Sequence, residues 1–451
     1  MRLLQNDHLD EFESVEQTLN STQLLSLLRH QSKLRSFRAR LELSDLATED
    51  IATWTSEHGF LFNSNLRLLK TLRICIRQES PRTEHDRALE LDEMTCSGQL
   101  LKAAPFLESL EICGWRKTWY HELQRLSRIG LEPFFKIAAN PKQFPRTLRS
   151  LTLVDMFLPQ GHHSNSLLNA IDVTVLHSLK LEGCDGYTAF LYMLARLINQ
   201  KATQLKVLTV RTKHKESLNE NLDDFQVVND VLDTFEGLEE LELEFLRACF
   251  TKASYGGSHL SHHQTLKKLL LASDLTGREN NRRFNVGNVL SACPRLQYFA
   301  YIPPVLYNPL SIEDPEEMVS LPNGLYNSLD TIAASPTLRT LHMMYVPVLQ
   351  GFLQRRGDPA CIEKAIRILY RYATLALTHL YQKGSGIRFL YLSPNQGIGI
   401  TSVHTNKYRS PVYFYQLVED ETDVDGGMRV VRIQEDEVEY PYVYSLSRAE
   451  S

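Results

Sequence analysis

The side chains that could do chemistry fall into four groups, and their spacing limits what that chemistry is. His259-x-x-His262-His263 and His162-His163 are metal-ligand types. They sit beside loop material, Gly256-Gly257-Ser258, with no cysteine or carboxylate at ligand spacing, so neither a metal nor a cofactor is expected. Cys75 and Cys113 occupy equivalent places in successive sequence repeats; they read as adjacent reduced thiols, with a disulfide or a two-ligand metal site as the sharper alternative. Glu240, Glu242 and Glu244 alternate along a strand-like segment, so three like charges share one face and repel unless solvated or paired. Arg38, Arg40 and Arg73 form a cationic counterpart nearer the N-terminus.

Enzyme motifs are missing. No G-x-x-x-x-G-K-[ST] phosphate loop or G-x-S-x-G elbow occurs, Gly397-Ile398-Gly399 lacks the final glycine of a dinucleotide fingerprint, and His121-Glu122 lacks the second histidine of H-E-x-x-H. A non-catalytic protein is therefore expected.

What must position these residues is a repeat. The chain has 451 residues, of which 72 are leucine. Many fall on the pattern L-x-x-L-x-L, whose strand places positions 4 and 6 inward. Eleven segments fit it, starting at 34, 69, 107, 148, 176, 205, 238, 266, 296, 338 and 387, with the central ones 28–33 residues apart. Helical periodicity lies between them at Tyr187–Gln200, Gly287–Ala292 and Ile362–Leu380, the last stopped by Gly384-Ser385-Gly386. The fold class expected is α/β: a leucine-rich-repeat solenoid, or horseshoe, with a parallel sheet on the concave face and helices on the convex face. Residues 1–33 read as an N-terminal helical cap, 34–400 as the degenerate solenoid, and 401–451 as a C-terminal β-hairpin cap with an acidic tail. Strand-like Val412–Val418 and Met428–Ile433 form that hairpin. The consensus asparagine or cysteine at position 9 is present only as Cys184 and Asn395, with Asp274 in a similar place, so most turns must be satisfied otherwise.

Positions 3, 5 and 7 of each strand point to the opposite, concave face. There the C-terminal repeats carry Tyr298, Ile302, His342, Met344, Phe389 and Tyr391. Clustered aromatic and apolar side chains at solvent-facing positions mark partner sites. Two readings stand: a protein or peptide binds there, or the insertions before the last two strands, including Pro303–Leu325, fold over these residues. Glu240, Glu242 and Glu244 form a secondary electrostatic patch suited to a basic segment, or a solvated strand face. The three arginines suit an acidic or phosphorylated motif, or are ordinary surface charge.

A net charge of −5 supplies no global cation excess for phosphate, and no stretch is long and apolar enough for a membrane helix. Nucleic acid and membrane are thus not expected as partners. Seven scattered cysteines suit reduced thiols in an intracellular, cytoplasmic or nuclear setting.

Segments such as Ala292-Cys293-Pro294-Arg295-Leu296-Gln297-Tyr298-Phe299 and Phe144-Pro145-Arg146-Thr147-Leu148-Arg149-Ser150-Leu151 resemble the fungal F-box/leucine-rich-repeat proteins over roughly residues 20–400. The resemblance implies a horseshoe that holds a substrate, and an F-box that docks on the adaptor of a cullin ubiquitin ligase. The first 33 residues hold no Leu-Pro-x-Glu-like segment, so the expectation is a receptor whose F-box is missing by truncation or lost. The alternative is a stand-alone leucine-rich-repeat regulator, for example of a small GTPase, without a ligase link.

Overall fold

A computed structural model describes residues 9–41, 65–77, 97–115 except 99, 145–158 except 157, 168, 171–212, 224–245, 264–273, 286–303, 321–346 except 322, 359–394, 412–420, 427–434 and 437. The chain folds as two compact units whose described residues lie within 1–235 and 236–444.

In the first unit, strands β1 (Glu11–Leu19), β2 (Ser36–Leu41), β3 (Thr71–Arg77), β4 (Ser109–Trp115), β5 (Ser150–Val154), β6 (Ser178–Glu182) and β7 (Val207–Arg211) pair in sequence order, all parallel. Its helices include α1 (Ser21–His30), α2 (Tyr187–Ile198) and α3 (Asp224–Leu232). The second unit continues the sequence with β8 (Glu240–Phe245), β9 (Lys268–Ser273), β10 (Tyr298–Tyr301), β11 (Thr340–Val346) and β12 (Phe389–Pro394), again parallel and in order. Its helices are α4 (Val286–Ala292), α5 (Asn323–Ala333) and α6 (Pro359–Gln382). The hairpin β13 (Tyr413–Glu419) and β14 (Met428–Ile433) then adds antiparallel to β12.

All eleven repeat segments read from the leucines are strands, and leucine positions 4 and 6 are buried throughout, from Leu72 and Ile74 to Leu390 and Leu392. Burying one such side chain contributes roughly 1.5–3 kcal/mol, so the repeated leucines supply the main driving force in every strand. The backbone repeats as strictly as the side chains. Within each unit the carbonyl at position 2 of one repeat accepts two amide hydrogen bonds from positions 2 and 3 of the next. Arg35 O takes Lys70 and Thr71, Lys70 O takes Glu108 and Ser109, Glu108 O takes Arg149 and Ser150, and in the second unit Gln297 O takes Arg339 and Thr340. This step ties the register to backbone bonds that do not depend on side-chain identity.

A threonine ladder stands at the start of the strands. Thr147, Thr265 and Thr337, each just ahead of a repeat's first leucine, donate their hydroxyls to the carbonyl of the preceding repeat's first leucine: Leu107 at 2.8 Å, Leu238 at 2.7 Å and Leu296 at 2.9 Å. Cys184 does fill the consensus role, its thiol donating to Leu153 O at 3.2 Å, and burial pushes that thiol's pKa up to about 12. Asn395 and Asp274 lie outside the described residues.

The N-terminal segment is helical only in part. Helix α1 starts at a capping box in which Asn20 and Gln23 satisfy each other's backbone amides. Ahead of it, β1 pairs with β2 so that Phe12 lies opposite Phe37 and Ser14 opposite Ala39. Leu9-x-x-Phe12-x-Ser14 is thus a further repeat, obscured because serine stands at its position 6. The C-terminal hairpin forms as expected, and α6 braces it: the Tyr370 hydroxyl donates to Val430 O at 2.8 Å and its ring lies against Tyr415. Gly384, at φ 74°, ends α6 in the left-handed conformation that only glycine adopts without strain, while Ser385 N donates back to Leu380 O.

Candidate partner-binding face

Positions 3, 5 and 7 line up across each unit as three rows on the face opposite the leucines. In the first unit row 3 is Glu11, Ser36, Thr71, Ser109, Ser150 and Ser178, ending at Val207. Every hydroxyl-bearing member of that row is partly exposed. Row 5 is Glu13, Arg38, Arg73, Glu111, Thr152, Lys180 and Thr209. Its charges pair along the row: Arg38 with Glu13 at 3.7 Å and Arg73 with Glu111 at 3.3 Å. Row 7 runs Arg40, Cys75, Cys113, Val154, Glu182 and Arg211, and closes in an ion pair between the buried Glu182 and Arg211 at 3.8 Å. The serine row is legible as a recurring L-x-[ST]-L, with small side chains that leave the sheet backbone approachable.

The same rows in the second unit have another character. Tyr298, His342 and Tyr391 are 0% exposed and Met344 is 2% exposed, while Ile302 and Phe389 pack partly buried against the same cluster. Four of these six residues are thus buried and two partly buried, and the described side chains that cover them belong to neighbouring strands and to the hairpin. Leu270, Ala272, Ala300, Phe414 and Ile433 complete the cluster. The hairpin supplies the last two, so the terminal strands that cap the sheet edge also fill this face. Tyr391 meets Phe414 edge to face, with ring centroids 4.8 Å apart. The insertion from Pro304 to Ser320 lies outside the described residues.

Within the cluster His342 is clamped from both sides. The Tyr298 hydroxyl lies 2.7 Å from Nδ1, and Nε2 lies 2.6 Å from Ser393 Oγ. With the ring proton on Nε2, Tyr298 donates to Nδ1 and Nε2–H donates to Ser393, so both ring nitrogens are satisfied. The histidine–serine spacing is that of a base and a nucleophile. The third member, however, is a tyrosine hydroxyl and not a carboxylate. The arrangement suits a polar clamp that holds three strands in register.

The acidic row is also answered from within the chain. Lys268 lies 2.7 Å from Glu242 and 3.9 Å from Glu240, with its ammonium 5.5 Å from the centre of the Tyr298 ring. Glu242 is buried and Glu244 is partly exposed. Lys268 thus occupies the position that a basic partner's side chain would take between Glu240 and Glu242.

The histidines at 162, 163, 259, 262 and 263 lie outside the described residues, and among the described residues no three metal-ligating side chains converge. No described helix is long and apolar enough to cross a membrane. Neither a protein-family model nor a curated protein matches the chain.

Proposed function

We propose that the chain is a protein-binding scaffold, a leucine-rich-repeat solenoid whose strand face in the first unit holds a protein or peptide partner. The observation that carries this reading is the contrast within that face: a row of small, partly exposed hydroxyl residues, Ser36, Thr71, Ser109, Ser150 and Ser178, lies beside a charged row. Small side chains let an extended segment approach closely, and flanking charges set its direction and register. Exposed Arg38 and partly exposed Arg40 and Lys180 favour an acidic or phosphorylated segment. The ubiquitin-ligase assignment, in which this face recognises a substrate for an F-box-type receptor, rests on the resemblance of the repeats.

The test is proximity labelling from the intact genomic reading frame, run in parallel with an Arg38→Glu/Lys180→Glu variant that circular dichroism shows to be folded. Proteins labelled by the natural chain and lost in the variant identify the partner. Recovery of a cullin and its adaptor supports the ligase role, and their absence alongside a retained partner assigns the stand-alone regulator. An identical set of labelled proteins for both chains would remove this face from the proposal.

A further inference from the structure

We propose that Cys75 and Cys113 form a reversible dithiol–disulfide centre, oxidised by peroxide and restored by thiols. The inference does not depend on the partner-binding reading. Three observations converge. The two residues are direct register partners on adjacent parallel strands, β3 and β4. Strand spacing puts paired Cα atoms ~4.8 Å apart, inside the ~4.4–6.8 Å range that a disulfide spans. Their side chains share row 7 on one face of the sheet.

The surroundings divide the labour between the two thiols. Cys75 is partly exposed and can meet a small oxidant, whereas Cys113 is buried behind it. The hydrogen bond from Cys113, together with the Arg73 and Arg40 guanidiniums, holds the Cys75 pKa below the ordinary thiol value even against burial. Cys113 is held well above it by the same hydrogen bond and by burial, and Glu111 Oε1 lies 3.4 Å from its sulfur. Burial raises the Glu111 pKa, which makes that carboxylate a stronger acceptor for the thiol proton. Two adjacent guanidiniums also disfavour a bound metal cation, so the cationic setting selects redox chemistry over metal capture. By contrast, Cys184 and Cys293 are buried with pKa values pushed up to about 12. They are the inert thiols of the same chain.

The reaction balances with hydrogen peroxide as oxidant. The Cys75 thiolate attacks one peroxide oxygen; the S–O bond forms, the O–O bond breaks, and the departing hydroxide takes up the proton that Cys75 released, leaving one water. Sulfur is oxidised to the sulfenic acid. Cys113 then gives its proton toward Glu111 and attacks the Cys75 sulfur. The S–S bond forms, the S–OH bond breaks, and the hydroxide leaves with that proton as the second water. Two thiols and one peroxide become a disulfide and two waters.

The experiment uses the full chain, freshly reduced, desalted, treated with graded hydrogen peroxide, quenched with N-ethylmaleimide and digested with trypsin. Cleavage isolates Cys75 in Ile74–Arg77 and Cys113 in Ala103–Arg116, each with a single cysteine. The expected product is these two peptides joined, 2 Da below their summed mass, released by dithiothreitol, and formed about tenfold faster than any oxidation of Cys184 or Cys293. In Cys113→Ser the linked peptide disappears and dimedone traps a sulfenic acid on Cys75. Unlinked Cys75 and Cys113 peptides, both alkylated or both carrying oxygen adducts in the natural chain, would overturn the proposal. That arm needs no variant, so a folding defect cannot obscure it.

Discussion

The two units carry the same backbone repeat and the same buried leucines, yet they treat the opposite face of the sheet in contrary ways. In the first unit rows 3 and 5 are small and charged, and most of their members retain contact with solvent. In the second, the corresponding rows bring together Tyr298, His342, Tyr391, Leu270 and Phe414 in a buried cluster. A strand sheet buried on one face needs only alternation in its sequence; one buried on both faces needs apolar residues at successive positions. Leu269-Leu270-Leu271 and Tyr298-Phe299-Ala300-Tyr301 are such runs, whereas Ser150-Leu151-Thr152-Leu153 alternates. One repeat geometry thus serves as an accessible surface in one unit and as a second core in the other.

Truncating corresponding positions should expose that difference most strongly. Tyr391→Ala removes a fully buried ring from row 5 of the second unit and should cost ~3–5 kcal/mol in urea unfolding. Thr152→Ala, in the same row of the first unit, should stay within ~0.5 kcal/mol. Similar losses at the two positions would erase the distinction between the faces.

Row 7 of the first unit is where its polar face becomes most like a core, at the buried Glu182–Arg211 pair. Glu182→Leu leaves the Arg211 charge buried without this carboxylate and should destabilise by about 3 kcal/mol. Adding Arg211→Leu should recover at least half of that loss, because the desolvation penalty goes with the charge. A double variant no better than the single would mean that Arg211 is stabilised by other partners.

These contrasts show what the sequence could and could not reveal. The strands were legible because leucine spacing reports burial on one face directly, and Ile362 to Leu380 reported α6 in the same way. Strand β1 was not, since Ser14 interrupts the apolar pattern while the register depends on backbone bonds that any residue can make. The burial of the aromatic row was open for a related reason. Periodicity says which side chains share a face, but whether that face is covered depends on Phe414 and Ile433, distant in sequence and brought over it by the hairpin. Likewise alternation groups the three glutamates on one face, but only register sets Lys268 directly opposite Glu240. Lys268→Met should therefore cost ~1–3 kcal/mol, by stripping the buried Glu242 of a charge-assisted hydrogen bond. It should also create affinity for a basic peptide that the natural chain lacks, measurable by fluorescence anisotropy at low salt.

The threonine ladder predicts a smaller effect, the same in both units. Thr147→Val and Thr265→Val each remove one hydroxyl-to-carbonyl bond of equivalent geometry, and each should cost about 1 kcal/mol. Equal losses would show that the ladder belongs to the repeat itself and not to the chemistry of either face.

The smallest stability change is paired with the largest functional one. Arg38 is exposed and its bond to Glu13 spans 3.7 Å, so Arg38→Glu should alter unfolding free energy by less than ~1 kcal/mol. Reversing that charge places two carboxylates next to each other at the edge of the serine row, where an acidic segment would approach. Its association rate should fall at low ionic strength and converge with the natural rate as salt rises, because screening removes steering before it removes contact. A partner whose rate does not change at any salt concentration must bind elsewhere. One whose rate falls equally at all salt concentrations is being held by direct contact with Arg38. The salt dependence therefore separates a face that attracts its partner from one that grips it, a distinction that neither burial nor register can make.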